Sequence, residues 1–305
     1  MNGRVAITAA LATFVLLGSF LFYLQRGSSG EYEPYTGPPA TPGTLEASAP
    51  PTRHIALNTE PGDYPRLRRL GYDLVDVKAD DASINGVPEG MQALVWVGNF
   101  TCGDFELSYD EFTAAVRRLA GNPKVYGWYL SDEPNPDECP DIAREIRRRA
   151  HYVEQNAPGQ RRFVSLTDWD MKPLTPKKIN VDLIGLDPYP CKGSATVQAK
   201  CDIRAIDRMV RMADHAGIPR HSVVPVFQAF GQTCSKGERQ YWLPTAAQMK
   251  AMLKRWQHLT PNPAMDIAYS WGRQGEWVCP GLSDASGTGG RPDLQTVLQT
   301  HNTKR

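Results

Sequence analysis

Hydrophobic and polar positions change rhythm three times along the chain. From Val5 to Leu24 no charge interrupts an apolar run, and Arg4 and Arg26 flank it. A helix of about 20 apolar residues crosses the hydrocarbon core of a bilayer. The bulky Leu21, Phe22, Tyr23 and Leu24 offer no small-residue cleavage site, so residues 1–26 are expected to form an uncleaved signal anchor, with a cleaved signal peptide as the alternative. Arg4 and the amino terminus favour the cytoplasmic side, which would leave the rest of the chain outside. Residues 27–52 are rich in Gly, Ser, Pro, Thr and Glu without apolar periodicity, and read as a linker. Beyond Arg53, short β-rich runs alternate with segments whose apolar residues recur every three or four positions. Strands are expected at His54–Thr59, Leu74–Ala79, Ala93–Asn99, Val125–Asp132, Arg162–Asp168, Val181–Pro190, Ser222–Phe230 and Asp266–Gln274. Helices are expected at Tyr109–Ala120, Cys139–Asn156, Cys201–Ala216 and Thr245–Leu259, with shorter ones near Asp81–Glu89 and Met171–Asn180. Eight such alternations in about 250 residues predict an α/β fold, a (β/α)₈ TIM barrel over residues 53–305. A doubly wound open sheet is the competitor. It usually carries a Gly-rich phosphate turn after its first strand, and Thr59-Glu60-Pro61-Gly62-Asp63 has none.

Composition narrows the partners. Hydrophobic residues make up 41% of the chain and charged residues 22%, enough to bury a core. With 34 basic against 33 acidic residues, the chain has no electrostatic footprint for nucleic acid. All six cysteines lie beyond the linker, and an even count in an exported domain favours disulfides over thiol chemistry. None is in a closely spaced pair such as C-x-x-C, so no metal or cofactor is expected. Each cysteine falls in or beside a loop after a strand, and neighbouring loops of one barrel face can be bridged. Cys102 is therefore paired with Cys139, Cys191 with Cys201, and Cys234 with Cys279, one of fifteen possible sets.

Barrel sites lie at the C-terminal ends of the strands. Those ends hold Asn58, Lys78, Asn99, Asp132 and Glu133, Asp168 and Trp169, Asp187 and Tyr189, Gln228, and Trp271 with Arg273. Carboxylates facing aromatic rings in a concave mouth suit glycosidic cleavage, which needs an acid, a base or nucleophile, and flat faces against sugar. Each residue also has a plainer reading. Asp132 could start a helix, and Asp187 could bond its own loop. Trp271 could fill the barrel mouth. Trp96 and Trp128 read as core, and the Arg144–Arg149 cluster reads as a solvated helix face. His54 opens strand 1 at the barrel base, where stability is the expected role.

The segment Val125–Pro134, VYGWYLSDEP, resembles strand 4 of the clan A glycoside hydrolases, retaining barrel enzymes whose strand 4 ends in Asn-Glu-Pro. GLDPYP from Gly185 resembles their sixth strand, and Ser270-Trp271-Gly272 resembles the eighth, which supplies a stacking Trp. The resemblance implies that Glu133 is the acid/base and that Asp132 occupies the position of the Asn that holds the sugar 2-hydroxyl. Strand 7 departs from it, since that clan ends the strand with a nucleophilic Glu and this chain has Gln228. The nucleophile is then Asp187, or next Glu276, unless the enzyme inverts through water or does not hydrolyse. The expected function is hydrolysis of an extracellular polysaccharide or glycoconjugate. In that reading Glu133 is the acid and Asp187 the base or nucleophile, while Asp132, Tyr189, Gln228, Trp271, Arg273, Asn99 and Lys78 position carbohydrate. The alternatives are a non-catalytic carbohydrate-binding barrel at the cell surface and a metal-assisted barrel hydrolase. Carboxyls roughly 5–5.5 Å apart imply retention, 6.5–9.5 Å inversion, and a wider gap binding alone.

Overall fold

The computed structural model describes residues 50–193, 201–232, 234, 240–275, 277–284 and 291–304. The expected anchor, the linker up to residue 49, and Glu276 lie outside the described residues. Among the described residues no helix is long and apolar enough to cross a membrane.

Eight parallel strands close into a barrel in chain order, β8 pairing back onto β1. They are β1 (Arg53–Ala56), β2 (Leu74–Lys78), β3 (Gln92–Trp96), β4 (Val125–Asp132), β5 (Arg161–Leu166), β6 (Leu183–Leu186), β7 (Val223–Gln228) and β8 (Met265–Tyr269). The helices are α1 (Tyr64–Arg69), α2 (Asp81–Asn85), α3 (Tyr109–Leu119), α4 (Ile142–Asn156), α5 (Pro176–Ile179), α6 (Arg204–Ala216), α7 (Ala246–Leu259) and α8 (Pro292–Asn302). The strands are apolar on both faces because both are covered. Inward residues such as Ile55, Leu74, Leu94, Phe163, Val226 and Ile267 fill the barrel. Their outward neighbours Val75, Val95, Trp128, Val164, Ile184 and Phe227 pack in the layer that also holds Phe112, Ile146, Met209 and Trp256 of the helices.

Local signals set several boundaries. Ser108 accepts from the Glu111 amide and Glu111 reaches back to Ser108, so α3 starts on a capping box; Thr245 and Gln248 do the same for α7. β6 stops at Leu186 rather than running to Pro190, since Pro188 and Pro190 have no N–H to donate to a ladder. Gly185 is required within it. A Cβ there would lie 2.6 Å from Ser165 Oγ and 2.8 Å from Phe163 Cζ.

One side chain of the basic cluster on α4 departs from the solvated reading. Arg149 is 2% exposed, its guanidinium 3.8 Å over the Phe105 ring and 4.7 Å over Phe112, with Nη2 donating to the Leu107 carbonyl. Two aromatic faces and a carbonyl replace water around the cation, and burial pulls its pKa down to about 10. Disulfides join Cys102 to Cys139, Cys191 to Cys201 and Cys234 to Cys279, all in connections that leave the C-terminal ends of the strands.

Candidate active site

β4, β5 and β6 carry a cluster of acids at their C-terminal ends. Asn99 sets it from the neighbouring strand connection, its Oδ1 accepting from the Asp132 amide at 2.7 Å and from Ser131 Oγ at 3.4 Å. The Tyr129 hydroxyl donates to Asp132 Oδ1 at 2.5 Å. The Glu133 amide then donates to the Ser165 carbonyl at 3.0 Å, extending the β4–β5 ladder by one residue. Glu133 has φ 44°, and Tyr189 and Asn58 at the ends of β6 and β1 have φ 35° and 59°. Left-handed backbone is unfavourable for residues with a Cβ and persists where surrounding structure imposes it, a feature concentrated at functional sites.

The carboxyls of Glu133 and Asp187 lie near enough for each to act on the other's ionisation. Two neighbouring carboxylates repel, which favours the protonated form of at least one of them. Asp187 is 2% exposed, and burial with the charges of Glu133 and Asp132 holds its pKa well above the usual carboxylate range. Ser165 Oγ also donates to its Oδ2 at 3.5 Å. Glu133 is raised mainly by burial, with Asp187 and the charge of Lys192 opposing and the charge of Asp168 adding. Burial, then Glu133, push Asp132 up to about 6 against the Tyr129 bond. Asp187 was expected to flank a scissile bond opposite Glu133. The structure brings the two to the same part of the mouth, with Asp187 buried and Glu133 partly buried.

Other expected ligands are committed elsewhere. Gln228 is fully buried: its Oε1 accepts from the Cys191 amide at 2.7 Å, and its Nε2 donates to the carbonyls of Trp242, Cys191 and Phe230. It ties two loops together and has no free group for sugar. Trp271 is also fully buried, in the layer between strands and helices, with Arg66 5.6 Å over its ring, so it offers no stacking face. Arg273 Nε donates to Asp284 Oδ1 at 2.5 Å with its side chain 59% exposed. Lys78 ends β2 exposed, and its charge acts on Asp80.

The aromatic surface is built around Tyr189, the one expected ligand among its rings. Tyr189 stacks on Tyr269 at 5.8 Å and meets Phe230 and Tyr241 edge-on at 5.1 and 5.8 Å. Tyr241 in turn meets Trp277, which is 55% exposed, and carries Lys192 Nζ 5.5 Å over its ring. Tyr269 was recoverable from strand alternation; Tyr241 and Trp277 sit in loops with no periodic signal.

No protein-family model and no curated protein matches the sequence. Solved structures do match in fold. The chitinase from Chromobacterium violaceum aligns with a TM-score of 0.54 at 11% identity, over 83% of this chain and 100% of that one. The β-galactosidase from Marinomonas ef1 aligns at 0.60 and 8% identity, over 82% of this chain and 59% of the other. An Ostrinia furnacalis group II chitinase catalytic domain, solved with an N-acetylchitooligosaccharide, aligns at 0.54 and 12% identity, covering 81% and 95%. At such identities the likeness establishes the barrel fold.

Proposed function

We propose that the domain is a glycoside hydrolase-like enzyme acting on an extracellular polysaccharide or glycoconjugate, with Glu133 as general acid. The observation that carries this reading is the cluster of Asp132, Glu133 and Asp187 at the C-terminal mouth of the barrel, where burial raises all three and the charge of Glu133 raises both of the others. Glu133 gives its proton to the glycosidic oxygen as the C–O bond breaks, and is reprotonated from solvent once the product has left, with the proton that water loses going to the base. Asp187, 2% exposed, is the base or nucleophile where substrate reaches its carboxyl. Otherwise Asp168, exposed at the end of β5 and near enough for its charge to raise Glu133, is the carboxylate suited to take a proton from an attacking water. That assignment gives inversion.

Glu133→Gln removes the proton while keeping the shape. Turnover on poor leaving groups should fall by about 10²–10⁴-fold, and much less on activated aryl glycosides, which need no protonation. Whichever of Asp187→Asn and Asp168→Asn removes the base should lower both alike. Equal losses on both substrate types in Glu133→Gln would remove Glu133 from the acid role. The second reading, a carbohydrate-binding barrel without chemistry, is favoured by Gln228, whose polar atoms are fully engaged where β7 ends. A wild-type protein that binds glycans and hydrolyses none would establish it.

Residues 1–26 are proposed as an anchor holding the domain outside the cytoplasm, on the strength of the uncharged run Val5–Leu24. The full-length protein should then stay in the membrane fraction through alkaline washing. Release into the medium with a new N-terminus would mean cleavage.

A further inference from the structure

At the barrel end opposite the mouth, three side chains from distant parts of the chain converge. His54 near the start of β1 lies in register with Asp266 on β8, and both alternate outward, toward the helices. His301 reaches them from the last turn of α8. Asp266 Oδ1 is 2.8 Å from His54 Nδ1, and Oδ2 is 2.8 Å from His301 Nε2. The three donor atoms all lie within 4.8 Å of one another. They open onto a cavity of about 840 Å³, whose wall also includes Thr260, Asn262, Asn302 and the ring of Phe227.

We propose that His54, Asp266 and His301 form a binding site for one divalent cation of the zinc class. Two imidazole nitrogens and a carboxylate oxygen are a donor set for borderline metals, and three protein ligands leave a position for water. The adjoining cavity supplies room for that water. With metal–ligand bonds of about 2.0–2.2 Å, tetrahedral donors stand roughly 3.3 Å apart. The edge to whichever Asp266 oxygen binds must therefore open by about half an ångström from 2.8 Å, and the imidazole now held by the other oxygen must turn towards the metal. The surroundings add a second argument. Asp266 is 3% exposed in a layer packed with apolar residues such as Phe227, Ala268 and Trp256, where a carboxylate needs strong compensation. A cation there would also join the first strand, the last strand and the last helix. No local motif signals the site, because its ligands are 35 and 212 positions apart.

The test uses untagged full-length protein, stripped with chelator and titrated with Co²⁺. One equivalent should bind per chain and produce the visible absorption of a low-coordinate cobalt centre, displaced by Zn²⁺, and Zn²⁺ should raise the thermal midpoint. His301→Ala and Asp266→Asn should lose the absorption, whereas Glu133→Gln should keep it. Because removing His301 could loosen α8, the wild-type protein provides an independent reading: the imidazole resonances of His54 and His301 should shift together as Zn²⁺ is added. Absence of stoichiometric uptake, unmoved imidazole resonances, or undiminished absorption in both variants would overturn the site and leave a hydrogen-bonded staple.

Discussion

Asp132 illustrates how the mouth trades stability for chemistry. Its carboxyl titrates near 6 in the folded chain against an ordinary 3.8, because burial and the charge of Glu133 both oppose ionisation. A raised folded pKa means the folded state holds the proton more tightly. Its stabilising effect is complete below about pH 4 and is lost as pH rises through about 6. Asp132→Asn keeps an acceptor for the Tyr129 hydroxyl and removes the ionisation. It should be more stable than wild type at pH 7 by up to about 3 kcal/mol, with the gain disappearing near pH 4. Denaturant titrations at the two pH values measure this, and equal differences at both would count against the burial argument. Activity should in turn fade on the alkaline side, as the proton of Glu133 is lost.

Among the elements, β4 was the most legible, because a long apolar run ending in Ser-Asp-Glu-Pro fixes both the strand and the acids at its tip. The eight-strand rhythm was legible for the same reason, since parallel strands covered on both faces are dense in apolar residues. α1 and α8 were not read from the sequence. α1 has six residues, and the apolar positions of α8, Leu294, Val297 and Leu298, form a short stripe. The roles of Gln228 and Trp271 were hidden more deeply. Strand position placed both near the mouth, but side-chain direction and loop folding decided that one binds backbone and the other faces the helices. Gln228→Leu should accordingly act on the connections after β6 and β7, leaving the Cys191 amide and Trp242 carbonyl without their partner. Each buried group left unpaired costs about 1–3 kcal/mol. A variant that melts like wild type would mean that water takes over those bonds.

Across the whole molecule, covalent reinforcement is one-sided. The three disulfides close segments of 37, 10 and 45 residues, all at the mouth. On loop-closure entropy the ten-residue ring contributes about 2.7 kcal/mol and the two longer ones about 4 kcal/mol each. Reduction should lower the melting temperature and release amide protection first in the connections after β3, β6 and β7, while the strand bases exchange slowly. Uniform loss of protection would show that the barrel has no such division. The opposite end brings together the start of the barrel domain and its last helix: Pro51 and Thr52 share a cavity wall with Thr303 and Lys304. Both positions therefore lie at the barrel end opposite the mouth. The same proximity makes the domain suited to circular permutation, with residue 304 sewn to residue 51 by a short flexible bridge and new ends cut elsewhere.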